Sequence, residues 1–437
     1  MRQIGPIRWL AVLTIGLFAP AGADARPAMR ATSKHAQSAH RRHAATRVRR
    51  TALRHRPSTL LKSATTAQAP ITIPAPTGTI YYVSPSGSDA NSGTSPATAW
   101  QTVEQVDRAH LLPGDEVLFE GGATFSDDAL MPGWGENASG VSGAPISFGS
   151  YGRGQATIAQ GVWFKSDDHL AFQDLRLGNA DGYSGTGFQG DGEDITILHT
   201  TIEHVGLGIN AEGDDWTIAD DTINATGDSG MLLGYTAGAP GDPAGGNNYL
   251  VSGNTITNTG LNPMDTYGTH GIYVKVTNSS IIGNTIAHFN DDGISVRYRN
   301  STISGNRISY GKIGLAWFQY DATAGTSRWT DNTISNVTSA GIFVCGIAQD
   351  CREPLESFHI SGGAITGGGV VRMNLQPTTG TYSIGQITST PTASALRRSV
   401  RVPKRPKRTF GARHRPPGRS RARAHRRALR IATQGPR

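Results

Sequence analysis

The chain has 437 residues with 55 Gly, 17% charged residues and two Cys, a composition that speaks against a helical bundle, a coiled coil and a Cys-based disulfide or zinc scaffold. Its net charge of +8 is unevenly placed: residues 1–62 hold 13 Lys and Arg against one acid, residues 391–437 hold 16 against none, and residues 63–390 hold 12 against 32. The body is therefore acidic between two basic tails, and the net charge gives no reason to expect nucleic acid as a partner.

Residues 1–25 have the pattern of a secretory signal peptide: Arg2 and Arg8, the apolar run Trp9–Ala19, then small-residue cleavage sites around Ala21–Ala25. The run is about half the roughly 20 residues that a membrane span needs. Residues 26–78 are Arg-, His- and Thr-rich without apolar periodicity, and end in a Pro- and Thr-rich linker. They are expected to be disordered, as is the basic tail 391–437, and both suit an anionic cell-wall or lipid surface. The protein is expected to be exported and monomeric.

Residues 79–390 are expected to form the folded domain. Thr102-Val-Glu-Gln105 is a capping box followed by apolar residues at three-residue steps (Val103, Val106, Ala109), which predicts a short helix near 100–110 that caps the domain. Beyond it a pattern recurs: an apolar residue, two residues, Asn, one residue, an apolar residue, a turn, then Gly opening a second alternating strand. Its clear copies centre on Asn254, Asn284, Asn306 and Asn332, and weaker ones on Leu175, Thr200, Asp221 and Gly363, spaced 21–33 residues apart. Short strands at one-coil spacing predict an all-β fold, a parallel β-helix whose coils stack about 4.8 Å apart over a shared core. The four Asn are expected to stack in one turn, where Asn tolerates left-handed backbone and bonds to its neighbours.

The opening Tyr81-Tyr-Val-Ser-Pro-Ser-Gly-Ser-Asp-Ala-Asn-Ser-Gly93, with Leu112-Pro-Gly-Asp115 and Pro145-Ile-Ser-Phe-Gly-Ser-Tyr-Gly152 after the helix, resembles that of secreted right-handed parallel β-helix proteins of the pectate-lyase-like superfamily. The resemblance implies a right-handed coil. It implies action on polysaccharide by lyase, hydrolase or epimerase chemistry, or non-catalytic binding, since fold alone does not choose.

Alternation points Ile272, Val274 and Ile294 inward, and Tyr273, Lys275, Ser295 and Arg297 outward. Lys275 and Arg297 stand 22 residues apart, one coil, and His270 and Asp292 form a second aligned pair just before the strand glycines. Tyr298, Arg299, Trp317 and Tyr320 follow on the same side and are expected, with Tyr273 and Asp292, to contact substrate. A Lys beside an Arg has its pKa lowered toward that of a usable base. The pair resembles the Lys and Arg of the chondroitinase-B and alginate-lyase family, which implies β-elimination on an acidic, uronate-containing polysaccharide, with Lys275 as base and Arg297 as acid or carboxylate partner; His270 is the alternative base. Asp291-Asp292 and His270-Gly271 resemble, in reversed order, motifs of β-helix polygalacturonases, which places hydrolysis second. Asp265, Tyr267, His270, Lys275 and Arg297 would serve epimerisation equally. Calcium would suit the acidic body as a bridge to a uronate carboxylate, at no site that the sequence names. Cys345 and Cys351, six apart, are expected to pair after export.

Overall fold

The computed structural model describes residues 70–390, apart from short segments at 134–137, 179–184, 236–241, 263–267, 319, 321–324, 346–356, 368–370 and 375–381. The basic tails, the signal segment, Asp265, Tyr267 and the Cys345–Cys351 pairing lie outside the described residues. No described helix is long and apolar enough to cross a membrane.

The domain is a parallel β-helix of three sheets, visited in the same order by each coil from Ile146 onward. The first has 12 strands, from Ile80–Val83 to Tyr382–Ile384; the second has 11, from Thr124–Phe125 to Thr388–Thr390. The third runs from Val162–Lys165 to Val371–Asn374, with Gly246–Asn247 added beside Leu207–Asp214 to make ten. Each strand pairs in parallel with its counterpart one coil on, and the crossover through the other two sheets takes the right-handed course that such connections follow. Register keeps like with like: Ile223, Ile256, Ile286, Ile308, Ile334 and Ile365 lie opposite one another through the second sheet, all buried. At the third sheet's edge a glycine is demanded by close approach. A Cβ on Gly271 would lie 2.5 Å from the Gly293 carbonyl oxygen and 2.5 Å from Ile286 Cγ2.

The predicted asparagine stack is present, with the expected bonds between neighbours but without the expected left-handed backbone. Asn254 donates from Nδ2 to Asn284 Oδ1 (3.0 Å), Asn284 to Asn306 (3.0 Å) and Asn306 to Asn332 (2.9 Å), and each Oδ1 also accepts the backbone N–H of the Asn before it. Left-handed backbone belongs instead to the preceding residue: Gly253 (φ 71°), Gly283 (φ 68°), Gly305 (φ 67°) and Asp331 (φ 57°). The Asn side chains are thereby turned inward and tie the first sheet's carbonyls to the next coil. Asp221 starts the ladder, accepting Thr200 N–H at 2.7 Å and donating its own N–H to Asn254 Oδ1 at 2.9 Å; burial pushes its carboxyl well above the ordinary carboxylate range.

The capping helix is shorter than predicted, Val103–Asp107. Only half of the capping box forms: Thr102 Oγ1 accepts Gln105 N–H at 3.1 Å, while the Thr102 N–H turns to Asp89 Oδ1 (3.0 Å). Asp127 Oδ2 takes the Val103 N–H at 2.9 Å, so a loop carboxylate serves the first turn. Val103 and Val106 enter the common core.

Candidate functional site

On the third sheet's outer face, the fourth residue after each coil's glycine forms a row. Register aligns Lys165 with Asp191 and Asp191 with Glu212; one residue beyond the pair Val274–Val296, it brings Lys275 beside Arg297. Both cations point away from the core as the alternation requires. The expectation that they stand on an exposed face is not met: Lys275 is 8% exposed and Arg297 7%. Aromatic rings cover them. The Arg297 guanidinium carbon lies 4.6 Å from the Tyr273 ring, 4.4 Å from Phe318 and 5.4 Å from Tyr320, and Lys275 Nζ lies 4.7 Å from the same Tyr273 ring. A planar, weakly hydrated guanidinium is the cation that tolerates this stacking.

Ser295 fixes the arginine from beneath. Arg297 Nη1 donates to Ser295 Oγ (2.8 Å), and Ser295 donates to Asp292 Oδ2 (2.7 Å). The same carboxylate oxygen lies 3.5 Å from His270 Nδ1, and the imidazole meets the Tyr273 ring edge-on at 4.5 Å. His270 and Asp292 are each 2% exposed. Burial, then Arg297, Lys275 and Lys312, push the imidazole well below its ordinary value, so it is neutral. Burial, then Asp291, raises Asp292 to about 6. Burial lowers Lys275, and Arg297 adds to that, against the opposing effect of Tyr320. Burial raises Tyr273, which keeps its phenol protonated.

The remaining expected contacts divide. Tyr320 joins the cluster. Trp317 does not: it packs inward on Phe358 at 4.5 Å, fully buried, because alternation after Gly314 sends it to the core with Leu315. Tyr298 is 1% exposed and anchors a loop, donating to the carbonyls of Asp242 (3.0 Å) and Pro243 (3.2 Å). Arg299 lies beyond the strand at the turn into the first sheet, where its carbonyl accepts Asn278 N–H. Asp291 and Asp292 do not face a ligand together, since Lys312 Nζ holds Asp291 at 2.6 Å while Asp292 is buried on Ser295.

His270, Asp291 and Asp292 bring ligand-type atoms within 4.8 Å of one another. Lys312, Arg297 and Lys275 all act on this group, and three cations around three donors oppose binding of a metal ion.

Two strands upstream, the same face opens into a cavity of about 400 Å³ lined by Trp163, Lys165, Gln189, Asp191, Asn210, Glu212 and Tyr235. Motif reading missed these residues. Counting four from Gly161, Gly187 and Gly208 would have found Lys165, Asp191 and Glu212, in the register that selects Lys275 and Arg297.

With that geometry in hand, comparison with known proteins supports the architecture. The family model described as "Periplasmic copper-binding protein (NosD)" matches residues 176–342. None of the curated proteins matches the chain. A glycoside hydrolase structure superposes with a TM-score of 0.53 at 9% identity, over 73% of this chain and 98% of that one. A lacto-N-biosidase from Eubacterium ramulus aligns at 15% identity over 72% and 68% of the two chains (TM-score 0.43), and a pectate lyase at 17% over 72% and 78% (TM-score 0.44). At these identities the likeness is one of fold.

Asp292 gives the site a pH signature. Its folded value of about 6 lies above the ordinary 3.8, so its contribution to stability is fully present below about pH 3.8 and is lost as pH rises through about 6. His270 has the opposite sign, costing stability as pH falls below its unfolded value. In urea unfolding across pH 4–7, Asp292→Asn is expected to gain stability relative to the parent as pH rises from about 4 to 6, since His270 acts equally on both; a difference that does not change with pH would show that Asp292 is ionised throughout.

Proposed function

We propose that this is a carbohydrate-active β-helix protein that lays an acidic, uronate-containing polysaccharide along the third sheet and cleaves it by β-elimination. Lys275 and Arg297 carry the proposal, meeting over one tyrosine ring at 4.7 and 4.6 Å. Arg297 neutralises the uronate carboxylate, which acidifies the neighbouring C5–H. Lys275, depressed by burial, takes that proton at Nζ. The electron pair forms the C4–C5 double bond as the C4–O bond breaks, and the Tyr273 phenol supplies the proton for the leaving oxygen. His270, neutral and edge-on to Tyr273, orients that ring from below.

Calcium is proposed only as a bridge between protein and uronate carboxylates. Copper, named in the description of the matching family, does not fit the His270 group, which three cations face.

The test is a panel of pectate, alginate and glycosaminoglycans incubated with the whole chain, with calcium or with chelator. Ultraviolet absorbance of unsaturated uronate ends on one polymer is the expected result. New reducing ends without absorbance would instead point to hydrolysis by Asp191 and Glu212, which stand on adjacent strands in the open cavity. Binding with neither product would make the protein a carbohydrate-binding solenoid.

A further inference from the structure

We infer that the cavity between Trp163 and Tyr235 is a second sugar site, selective for an uncharged or amino sugar. The substrate would then be a heteropolysaccharide and not a run of uronates. The inference deepens the elimination reading above and rests on it for the placing of the uronate at Lys275 and Arg297.

Four observations point to this ligand. Trp163 and Tyr235 are 42% and 58% exposed, unusual for large aromatics on a soluble domain, and both border the cavity. Flat rings at a cavity mouth match the apolar C–H faces of a pyranose. Among the described residues, the charged ones of the lining are two acids, Asp191 and Glu212, and one base, Lys165, so a uronate carboxylate entering here meets net negative charge in a partly desolvated space. Asn210 also lines the cavity, is 7% exposed, and its Oδ1 has no hydrogen-bond partner among the described residues. A buried acceptor without a donor is costly, and the two carboxylates beside it are acceptors too, Asp191 taking the Ser166 N–H and Glu212 likewise partnered. The wall therefore calls for a ligand rich in donors and free of negative charge: sugar hydroxyls, an amide N–H or an ammonium.

Its position links it to the cation pair. Glu212 and Lys275 lie in one row two strands apart, roughly 10 Å at about 4.8 Å per strand, and the negative charge of Glu212 acts on Lys275. A polymer along the face would reach both, one unit presenting its carboxylate to Arg297 and a neighbouring unit presenting donors to Asp191, Asn210 and Glu212.

Affinity of the whole chain for three sets of hexasaccharides tests this, at 0.3 M salt to screen the basic tails, which all variants share. The sets are alternating uronate/N-acetylhexosamine, homo-oligouronate, and uncharged or amino oligosaccharide (chitohexaose and chitosan hexamer). The alternating set is expected to bind best. Trp163→Ala is expected to weaken that binding about tenfold or more, and Asp191→Asn to narrow the preference over homo-oligouronate. Homo-oligouronate bound as tightly as the alternating set, with Trp163→Ala and Asp191→Asn both silent, would overturn the inference and leave the role of Lys275 intact. Binding of the uncharged or amino set that falls in Trp163→Ala, with every set indifferent to Lys275→Ala, would support the cavity assignment and overturn the uronate reading. Circular dichroism of each variant separates lost binding from lost folding, and Trp163→Phe, which keeps a ring, is expected to retain most of the affinity.

Discussion

Lys275→Ala is expected to abolish formation of unsaturated uronate ends, lowering the rate at least about a hundredfold, the smaller effect of removing a general base. The fold should survive. Lys275 lies against another cation and a tyrosine ring, and it enters no ion pair among the described residues, so truncation relieves repulsion from Arg297 as it removes packing. The rate of the parent should rise with pH as Lys275 loses its proton, at a pH below that of an ordinary lysine because burial disfavours the charged form. Arg297→Ala should be equally inactive and less stable, since it empties the space between Tyr273, Phe318 and Tyr320 and leaves Ser295 without its donor. Arg297→Lys keeps the charge and loses the planar stack, so it should keep the fold and recover only part of the rate. Full activity in Lys275→Ala, measured by ultraviolet absorbance on the polymer that the parent cleaves, would sink the assignment. His270, with its neutral imidazole, would then be the base to test.

Asn306→Ala is expected to lower stability by about 3 kcal/mol or more. Asn306 is fully buried. Its Oδ1 accepts from Asn284 N at 2.9 Å and Asn284 Nδ2 at 3.0 Å, and its Nδ2 donates to Ile281 O at 2.8 Å and Asn332 Oδ1 at 2.9 Å. Truncation leaves at least two of these partners buried without a bond, at about 1–3 kcal/mol each, and adds a small cavity. Asn306→Asp should cost less, because a carboxyl oxygen keeps the two acceptor contacts to Asn284 and the ladder already begins with a carboxyl residue, Asp221. Urea unfolding reads both variants. A loss in Asn306→Ala below about 1 kcal/mol, the net value of one ordinary hydrogen bond, would mean that the stacked apolar rows hold the coils without the ladder.

The residues that define the coil were legible because a solenoid repeats its local rules. Asn254, Asn284, Asn306 and Asn332 occur in one pattern, and the pattern fixes register, so the neighbour relations Lys275–Arg297 and His270–Asp292 followed from spacing alone. The core position of Trp317 was legible too: the alternation that sends Val274 and Val296 inward sends it inward. Its aromatic character had suggested a sugar platform, and the period outweighs residue type. The left-handed residue of the Asn turn was misplaced by one, because Asn and Gly both tolerate that backbone and pattern alone does not say which takes it.

By itself, then, the sequence determined the coil, its register, the row of outward cations and the contrast between an acidic body and basic tails. These depend on the order of residues along one strand and on the identity of its neighbour one coil away. The tertiary structure alone decided which outward side chains meet water. Lys275 and Arg297 leave the core as their positions require, yet Tyr273, Phe318 and Tyr320 close over them, while Trp163 and Tyr235 stay open beside a cavity. Alternation settles only that a side chain leaves the core, and what covers it there comes from rings and turns of other coils, which follow no period.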